Sequence, residues 1–363
     1  MQKILTVVGT RPNIIKITRF THESQKYLSI EHSLLHTGQH YSQNMSDVFF
    51  SELQLKQPDF VLKINASTVV SQLVNIMQGI EQTVQSYKPD LMIVVGDVNS
   101  TLAAALVANK MNIRLAHLES GLRSFDRSMP EEINRIITDS ITDIFFVTEQ
   151  SGVENLTNEN KLPEQIFLVG NTMIDTLVAY DEHIKASPIL HNLQLKPASY
   201  ALMTMHRPGN VDTKEGLLKI IEVIDYLTQR IRLVFPIHPR TFNKIKEFDL
   251  QNKLSANKNL ILMDPAGYLD FQNLILHSLF VITDSGGIQE ETTFRQIPCI
   301  TLRPNTERPC TVSIGSNTLL NFDLDKIKAT VEQIFSNTYK TCAIPPLWDG
   351  KATERIFEVL SKL

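Results

Sequence analysis

At 363 residues, 42% of them apolar, the chain exceeds the usual span of one hydrophobic core and predicts two domains of similar size. Its 35 Lys and Arg against 39 Asp and Glu give a formal net charge of −4, with the cations dispersed, which argues against an extended nucleic-acid footprint. The three cysteines, Cys299, Cys310 and Cys342, form no CxxC pair; neither a disulfide framework nor a metal site is expected, a reducing cytoplasmic compartment fits, and no apolar run approaches bilayer length.

Residues 1–9, MQKILTVVG, are apolar but short and run directly into GTRPNIIK, so they predict a first core strand rather than a leader. Further strands are predicted at 33–37, 60–64, 91–95, 114–118, 144–147 and 166–169, and their near-continuous apolar character suits a parallel sheet covered on both faces. Between them, Val70, Leu73, Val74, Met77, Ile80, Val84 and Tyr87 form one stripe of a helix over 69–87. After a polar stretch around 181–198 the series restarts, with strands near 200–205, 232–237, 260–263, 280–283 and 299–302 and helices at 214–230, 268–278, 287–295 and 325–337. The expected fold is α/β: two Rossmann-like doubly wound domains, 1–178 and 179–350, facing across a cleft. A last amphipathic helix in 351–363 could pack on either domain, including back on the first.

In parallel sheets ligands collect beyond the carboxyl ends of the strands, so polar residues just after strands are the first candidates. After the first strand, Gly9 permits a tight turn and Arg11 and Lys16 suit an anion near a helix N-terminus; the plainer alternative is a Gly-Pro helix start with two solvated cations. No GxGxxG is present, so a nicotinamide fingerprint is absent. Asp284-Ser285-Gly286-Gly287 is a stronger anion signal, because consecutive glycines let backbone N–H groups approach a phosphate at a helix N-terminus. Glu291, one turn on, could accept hydrogen bonds from ribose hydroxyls.

Asp97, Glu119 and Glu131 follow strands or open a helix, and a desolvated carboxylate there can act as general acid or base. Each also has a structural reading: Asp97 as an N-cap, Glu119 paired with Arg123, Glu131 as a first-turn dipole partner. His206 and His238, each beside an arginine (Arg207, Arg240), suit pyrophosphate contact or proton donation, or are satisfied structural histidines.

These signals fall in one order along the chain. GTRPNIIK, HTGQH, GDVNSTLAAAL, HLESGLRS, MPEEINR, GNTMIDTL, MHRP, FPIHPR, TDSGGIQEE and NTERP together resemble the bacterial UDP-N-acetylglucosamine 2-epimerases of the non-hydrolysing type, over nearly the whole length. The resemblance implies a glycosyltransferase-like GT-B arrangement and elimination of UDP to 2-acetamidoglucal, followed by re-addition after proton return at C2. It implies catalytic roles for Asp97, Glu119, Glu131 and His206. Phosphate contacts would come from Arg11, Lys16, Ser285, Gly286 and Gly287, with Arg207 and His238 nearby. Ribose would be held by Glu291, uracil by Phe271, and sugar or phosphate by Arg308. The implied partner is a UDP-sugar, in a homodimer, with no cofactor, nucleic acid or membrane involved.

Two departures stand out. Ser42 and the Arg-free KINASTVV replace the usual residues of a regulatory UDP-GlcNAc site, which argues against allosteric activation in its usual form, and MHRPG replaces the common HRRE. The competing readings are a hydrolysing epimerase, an epimerase of another UDP-2-acetamido sugar with an added carboxylate (calling for a free cation near Arg123 or Arg127), a GT-B glycosyltransferase and a non-catalytic binding module.

Overall fold

The apolar runs pair into two sheets, parallel throughout the described residues. The structure, a computed structural model, describes residues 1–39, 50–255 and 257–363; His40 and Ser42 lie outside them. The chain divides into two units, Met1–Ala179 with Pro346–Leu363, and Tyr180–Pro345.

The first unit holds β1 (Gln2–Val8), β2 (Ile30–His36), β3 (Phe60–Val61), β4 (Leu91–Val95), β5 (Arg114–Leu118), β6 (Ile144–Val147) and β7 (Ile166–Leu168), in spatial order β3-β2-β1-β4-β5-β6-β7. Strand order reverses at β1 and β4, so the loops after these strands leave in opposite directions and open a crevice at their carboxyl ends. Every residue of β4 and β6 is buried, as expected of strands covered on both faces. Most of the sequence stripe of the Val69–Tyr87 helix packs inward: Ile80 and Val84 are buried and Leu73, Met77 and Tyr87 lie against the same apolar cluster, which Ile76 joins, whereas Val70 is 70% and Val74 47% exposed.

The chain's last segment belongs to this unit. Trp348 is fully enclosed and its Nε1 donates to the Thr148 carbonyl at 3.1 Å. The Asp175 carboxylate accepts from the backbone N–H groups of Ala352 (3.0 Å) and Thr353 (2.6 Å), capping the Ala352–Leu360 helix from outside that helix. Phe357 then meets Phe20 edge-on, with ring centroids 5.5 Å apart.

The second unit repeats the topology with β8 (Tyr200–Thr204), β9 (Arg232–Pro236), β10 (Leu260–Met263), β11 (Phe280–Thr283), β12 (Cys299–Leu302) and β13 (Asn317–Leu320), ordered β10-β9-β8-β11-β12-β13. Its switch point lies between β8 and β11. The strand β13 was not expected; it starts with polar Asn317-Thr318 and borders the sheet, so it lacks the apolar run that marks a central strand. The polar stretch at 181–198 carries the short helices Asp181–Lys185 and Ile189–Asn192, and its Ile184, Ile189 and Leu195 are buried. Among the described residues, no helix is long and apolar enough to cross a membrane.

Candidate active site

In the first unit the polar residues converge where β1 and β4 end. Asn13, buried one turn into the short Arg11–Ile15 helix, accepts from the backbone N–H groups of Gly9 and Thr10, both at 3.3 Å, and donates to the Val95 carbonyl at 3.1 Å. One side chain thus ties both switch-point loops together. Gly96 follows with φ of +67°, and a side chain there would meet Asn13 Nδ2 and Glu119 Oε2 at 3.3 Å and Lys16 Nζ at 3.4 Å. A side chain there would be strained by the positive φ and would press on all three groups.

Glu119 itself has φ of +71°, a left-handed conformation that costs a non-glycine residue about 1–2 kcal/mol. Its backbone N–H donates to the Phe146 carbonyl at 3.0 Å, and its buried carboxylate pairs with Lys16. This overturns two sequence expectations. Lys16 stands at the C-terminal end of a single helical turn, not at an N-terminus, and it faces a carboxylate of its own unit. Arg123 pairs instead with Asp139 at 2.7 Å and, through two nitrogens, with Glu159 at 2.8 and 2.7 Å. Arg11 occupies the exposed first helical position.

Three successive carbonyls lead to Asp97, and each receives a side-chain donor. Val95 accepts from Asn13 and from Thr101 Oγ1 (2.6 Å), Gly96 from His117 Nε2 (2.7 Å), and Asp97 from Asn134 Nδ2 (2.9 Å). The Asp97 carboxylate is paired with Arg135, whose other nitrogen meets Glu132 at 3.0 Å. Asp97 is not an N-cap; Val98 holds that position for the Asn99–Lys110 helix. Glu132, not Glu131, is the buried acid of the helix's first turn, accepting from the backbone N–H groups of Ser124 (2.9 Å) and Phe125 (3.0 Å). Glu131 is half-exposed in the first turn of the Pro130–Ser140 helix.

Behind this loop His117 is fully buried. Its Nε2 meets a carbonyl, which only accepts, so that nitrogen carries a proton, while Nδ1 meets Asp139 at 2.6 Å. Burial pushes the Asp139 carboxyl up, but the His117 and Arg123 charges outweigh it and hold the group below the usual carboxylate range.

In the second unit His206 and Arg207 follow β8, and the loop is fixed by a residue of the neighbouring strand end. Buried Asp284 accepts from the backbone N–H groups of His206 (3.1 Å to each oxygen) and Arg207 (2.9 Å), and from Asn210 Nδ2 (3.1 Å). His206 Nδ1 lies 3.2 Å from Asp284, and the His206 and His238 ring centroids are 5.4 Å apart. Desolvation lowers the pKa of His206, as do His238, Arg207 and Arg240, against the opposing pull of Asp284. His238 caps the Pro239–Glu247 helix, its Nδ1 accepting from Arg240 N–H at 3.1 Å; desolvation, then Arg240, lowers its pKa.

Ser285 is the N-cap of the Gly286–Arg295 helix, and its side chain makes no capping hydrogen bond. A side chain on Gly286 would meet Arg308 Nη1 and Glu307 Oε1, both at 2.9 Å, so Arg308 lies against the helix start. Arg308 is held by Glu290 (2.9 Å) and Glu307 (2.5 Å), and Glu307 in turn meets Arg303 at 3.0 Å. Glu291 is buried one turn in, and Phe271, in the Tyr268–His277 helix, is partly buried against the apolar cluster around Leu274 and Ile288. Each unit therefore gathers its candidates at its own switch point: acids in the first, a helix start with His206 and Arg308 in the second. Sequence reasoning missed Asn13, His117, Arg135 and Asp139 and gave Asp284 no role, although a lone Asp after the buried run Phe280–Thr283 was a usable signal. No group of three or more metal-ligating side chains occurs among the described residues.

The chain matches the family model described as UDP-N-acetylglucosamine 2-epimerase over residues 22–361. It is 40% identical over 372 residues to a protein of Methanocaldococcus jannaschii named UDP-N-acetylglucosamine 2-epimerase, covering 99% of each chain. A Pseudomonas aeruginosa protein named UDP-2,3-diacetamido-2,3-dideoxy-D-glucuronate 2-epimerase is 35% identical over 364 residues, with 99% of this chain and 100% of that one covered. Among solved structures, the crystal structure of M. jannaschii UDP-GlcNAc 2-epimerase in complex with UDP-GlcNAc and UDP superposes with a TM-score of 0.91 at 40% identity, covering 100% of both chains. With nearly its full length matched by the family model and by relatives of this identity, the chain belongs to the UDP-N-acetylglucosamine 2-epimerase family.

Proposed function

We propose that the protein interconverts UDP-N-acetylglucosamine and UDP-N-acetylmannosamine without net hydrolysis, as an isomerase supplying a surface-polysaccharide precursor. The C2 hydrogen of such a sugar has no neighbouring carbonyl and is not acidic in the ground state. Cleavage of the C1–O bond toward the diphosphate builds positive charge at C1, and that charge acidifies C2–H. A carboxylate of the first unit, Asp97 or Glu119, removes the C2 proton; the C1–O electron pair leaves with UDP, and 2-acetamidoglucal remains. Proton return to the opposite face of C2 and re-addition of UDP complete the inversion. The acids, with Glu131, act as a group rather than as separately assignable proton carriers.

The second unit is assigned the nucleotide. The helix start at Ser285, Gly286 and Gly287 offers backbone N–H groups to the diphosphate, supported by Arg207 and Arg308, with Arg11 a further contact. His206 stabilises or protonates the departing diphosphate, His238 lies beside it, Glu291 holds ribose, and Phe271 contacts uracil. Lys16 acts on the sugar side, as the partner of Glu119, rather than on phosphate.

The observation that carries this reading is the pairing of Asp97 with Arg135 and of Glu119 with Lys16 at one switch point, in a chain whose other sheet ends in an anion-receptive helix start. An added sugar carboxylate would need a cation; Arg123 is committed to Asp139 and Glu159, which leaves exposed Arg127 as the candidate of that segment. A cytoplasmic homodimer is part of the proposal, supported by the exposed Val70 and Val74. Incubation with UDP-GlcNAc alone tests the function: UDP-ManNAc with intact nucleotide supports it, and free ManNAc with UDP, or no change without an acceptor, contradicts it.

A further inference from the structure

Asp284 is fully buried and directly precedes the helix start assigned to the diphosphate, yet its carboxylate is directed to the neighbouring loop. Every group it meets there is a donor: two backbone N–H groups, the Asn210 amide, and the His206 ring at 3.2 Å from Nδ1. An acceptor surrounded in this way requires a proton on Nδ1. That leaves Nε2 as the nitrogen of His206 able to exchange a proton with a ligand, on a side chain 38% exposed.

We propose that Asp284 is a positioning residue that fixes the Nδ1–H tautomer of His206 and ties the imidazole to the start of the Gly286–Arg295 helix. The role in turnover rests on the epimerase reading given above. The tie is short and made of partly buried bonds. Ser285 N–H donates to Thr283 Oγ1 at 3.0 Å, Thr283 meets Thr204 of the adjacent strand at 2.8 Å, and Asn210 joins Asp284 to the Leu302 carbonyl at 3.2 Å. A diphosphate seated on the helix start therefore bears on the same loop that carries its proton donor.

Asp284→Asn separates this role from simple loop support. Oδ2 receives three donors, from His206 N, Arg207 N and Asn210, whereas Oδ1 receives His206 N and the ring. The carboxamide oxygen will therefore take the Oδ2 position, and its NH₂ group will face Nδ1. Nδ1 must then accept, and the proton moves to Nε2. The charged groups facing His206 are Asp284, His238, Arg207 and Arg240. Removing the one anion among them disfavours the imidazolium, so the alkaline limb of kcat, which requires protonated His206, shifts to lower pH.

The experiment is nitrogen-15 NMR of the histidine rings in the whole protein, with and without saturating UDP, beside pH profiles of kcat. Neutral His206 in the wild type should carry its proton on Nδ1. Asp284→Asn should move it to Nε2, lower kcat by about 10²-fold or more, shift the alkaline limb acidward and change UDP affinity only a few-fold. Asn210→Ala, which loosens the same loop without changing the Nδ1 partner, should leave the tautomer intact. A wild-type proton on Nε2, or an Asp284→Asn variant that keeps Nδ1–H and an unmoved pH limb, overturns the inference. A tautomer change in a protein that never turns over UDP-GlcNAc leaves the positioning intact and refutes the epimerase reading instead.

Discussion

Lys16 and Glu119, 103 residues apart, form an ion pair with almost no solvent contact at the meeting point of β1, β4 and β5. Removing one partner strands a buried charge, so Lys16→Met should lower unfolding free energy by about 3–5 kcal/mol. The double variant with Glu119→Gln should recover much of that loss. Chemical denaturation of the two single variants and the double variant measures this coupling; additive losses would contradict it.

Asp97→Asn and Glu119→Gln should each abolish turnover while UDP still binds. The nucleotide contacts are assigned to the second unit and to Arg11, and neither change alters one of those residues. Calorimetric UDP titration beside an epimerisation assay checks this, and unchanged rates in both variants would remove the proposed acid group.

At Gly286 an added methyl would come within 2.9 Å of both Arg308 and Glu307. Gly286→Ala should therefore displace the arginine and weaken UDP binding by about tenfold or more, equivalent to about 1.4 kcal/mol. Glu291→Ala should also chiefly weaken nucleotide binding. Wild-type UDP affinity in either variant would contradict the phosphate or ribose assignment.

Asp139 gives a pH signature to the support behind Gly96. Its folded pKa lies below the ordinary aspartate value of 3.8, so on acidification the unfolded chain takes up its proton first. The stabilisation is complete above the unfolded pKa and is lost as pH falls through the folded value. The stability difference between wild type and Asp139→Asn should hold constant above about pH 5 and narrow below 3.8. Urea unfolding across that range reads it, and a pH-independent difference would contradict the charged His117–Asp139–Arg123 arrangement.

Much of the scaffold was legible because buried parallel strands are written as short uninterrupted apolar runs, such as Leu91–Val95 and Ile144–Val147. The strand Asn317–Leu320 was not, because a half-polar strand at the sheet border has no such run. On the Val69–Tyr87 helix, apolar residues cover more than one face, and periodicity alone could not decide that Ile76 packs inward while Val70 points out. The acids were visible as carboxylates after strands. Their partners were not: Arg135 lies 38 residues from Asp97, and Asn13 82 residues from the Val95 carbonyl it binds. Such pairings are made by the order of strands in the sheet, which local pattern does not encode.

The most direct test of the chemistry uses UDP-GlcNAc carrying oxygen-18 in the bond between C1 and the β-phosphate, incubated with the protein in deuterated water. Cleavage and re-formation of that bond predict migration of the label into non-bridging phosphate positions, together with one deuterium at C2 of both epimers. Label that stays in the bridge while the epimer forms, or an epimer that keeps its original C2 hydrogen, would contradict elimination as the route.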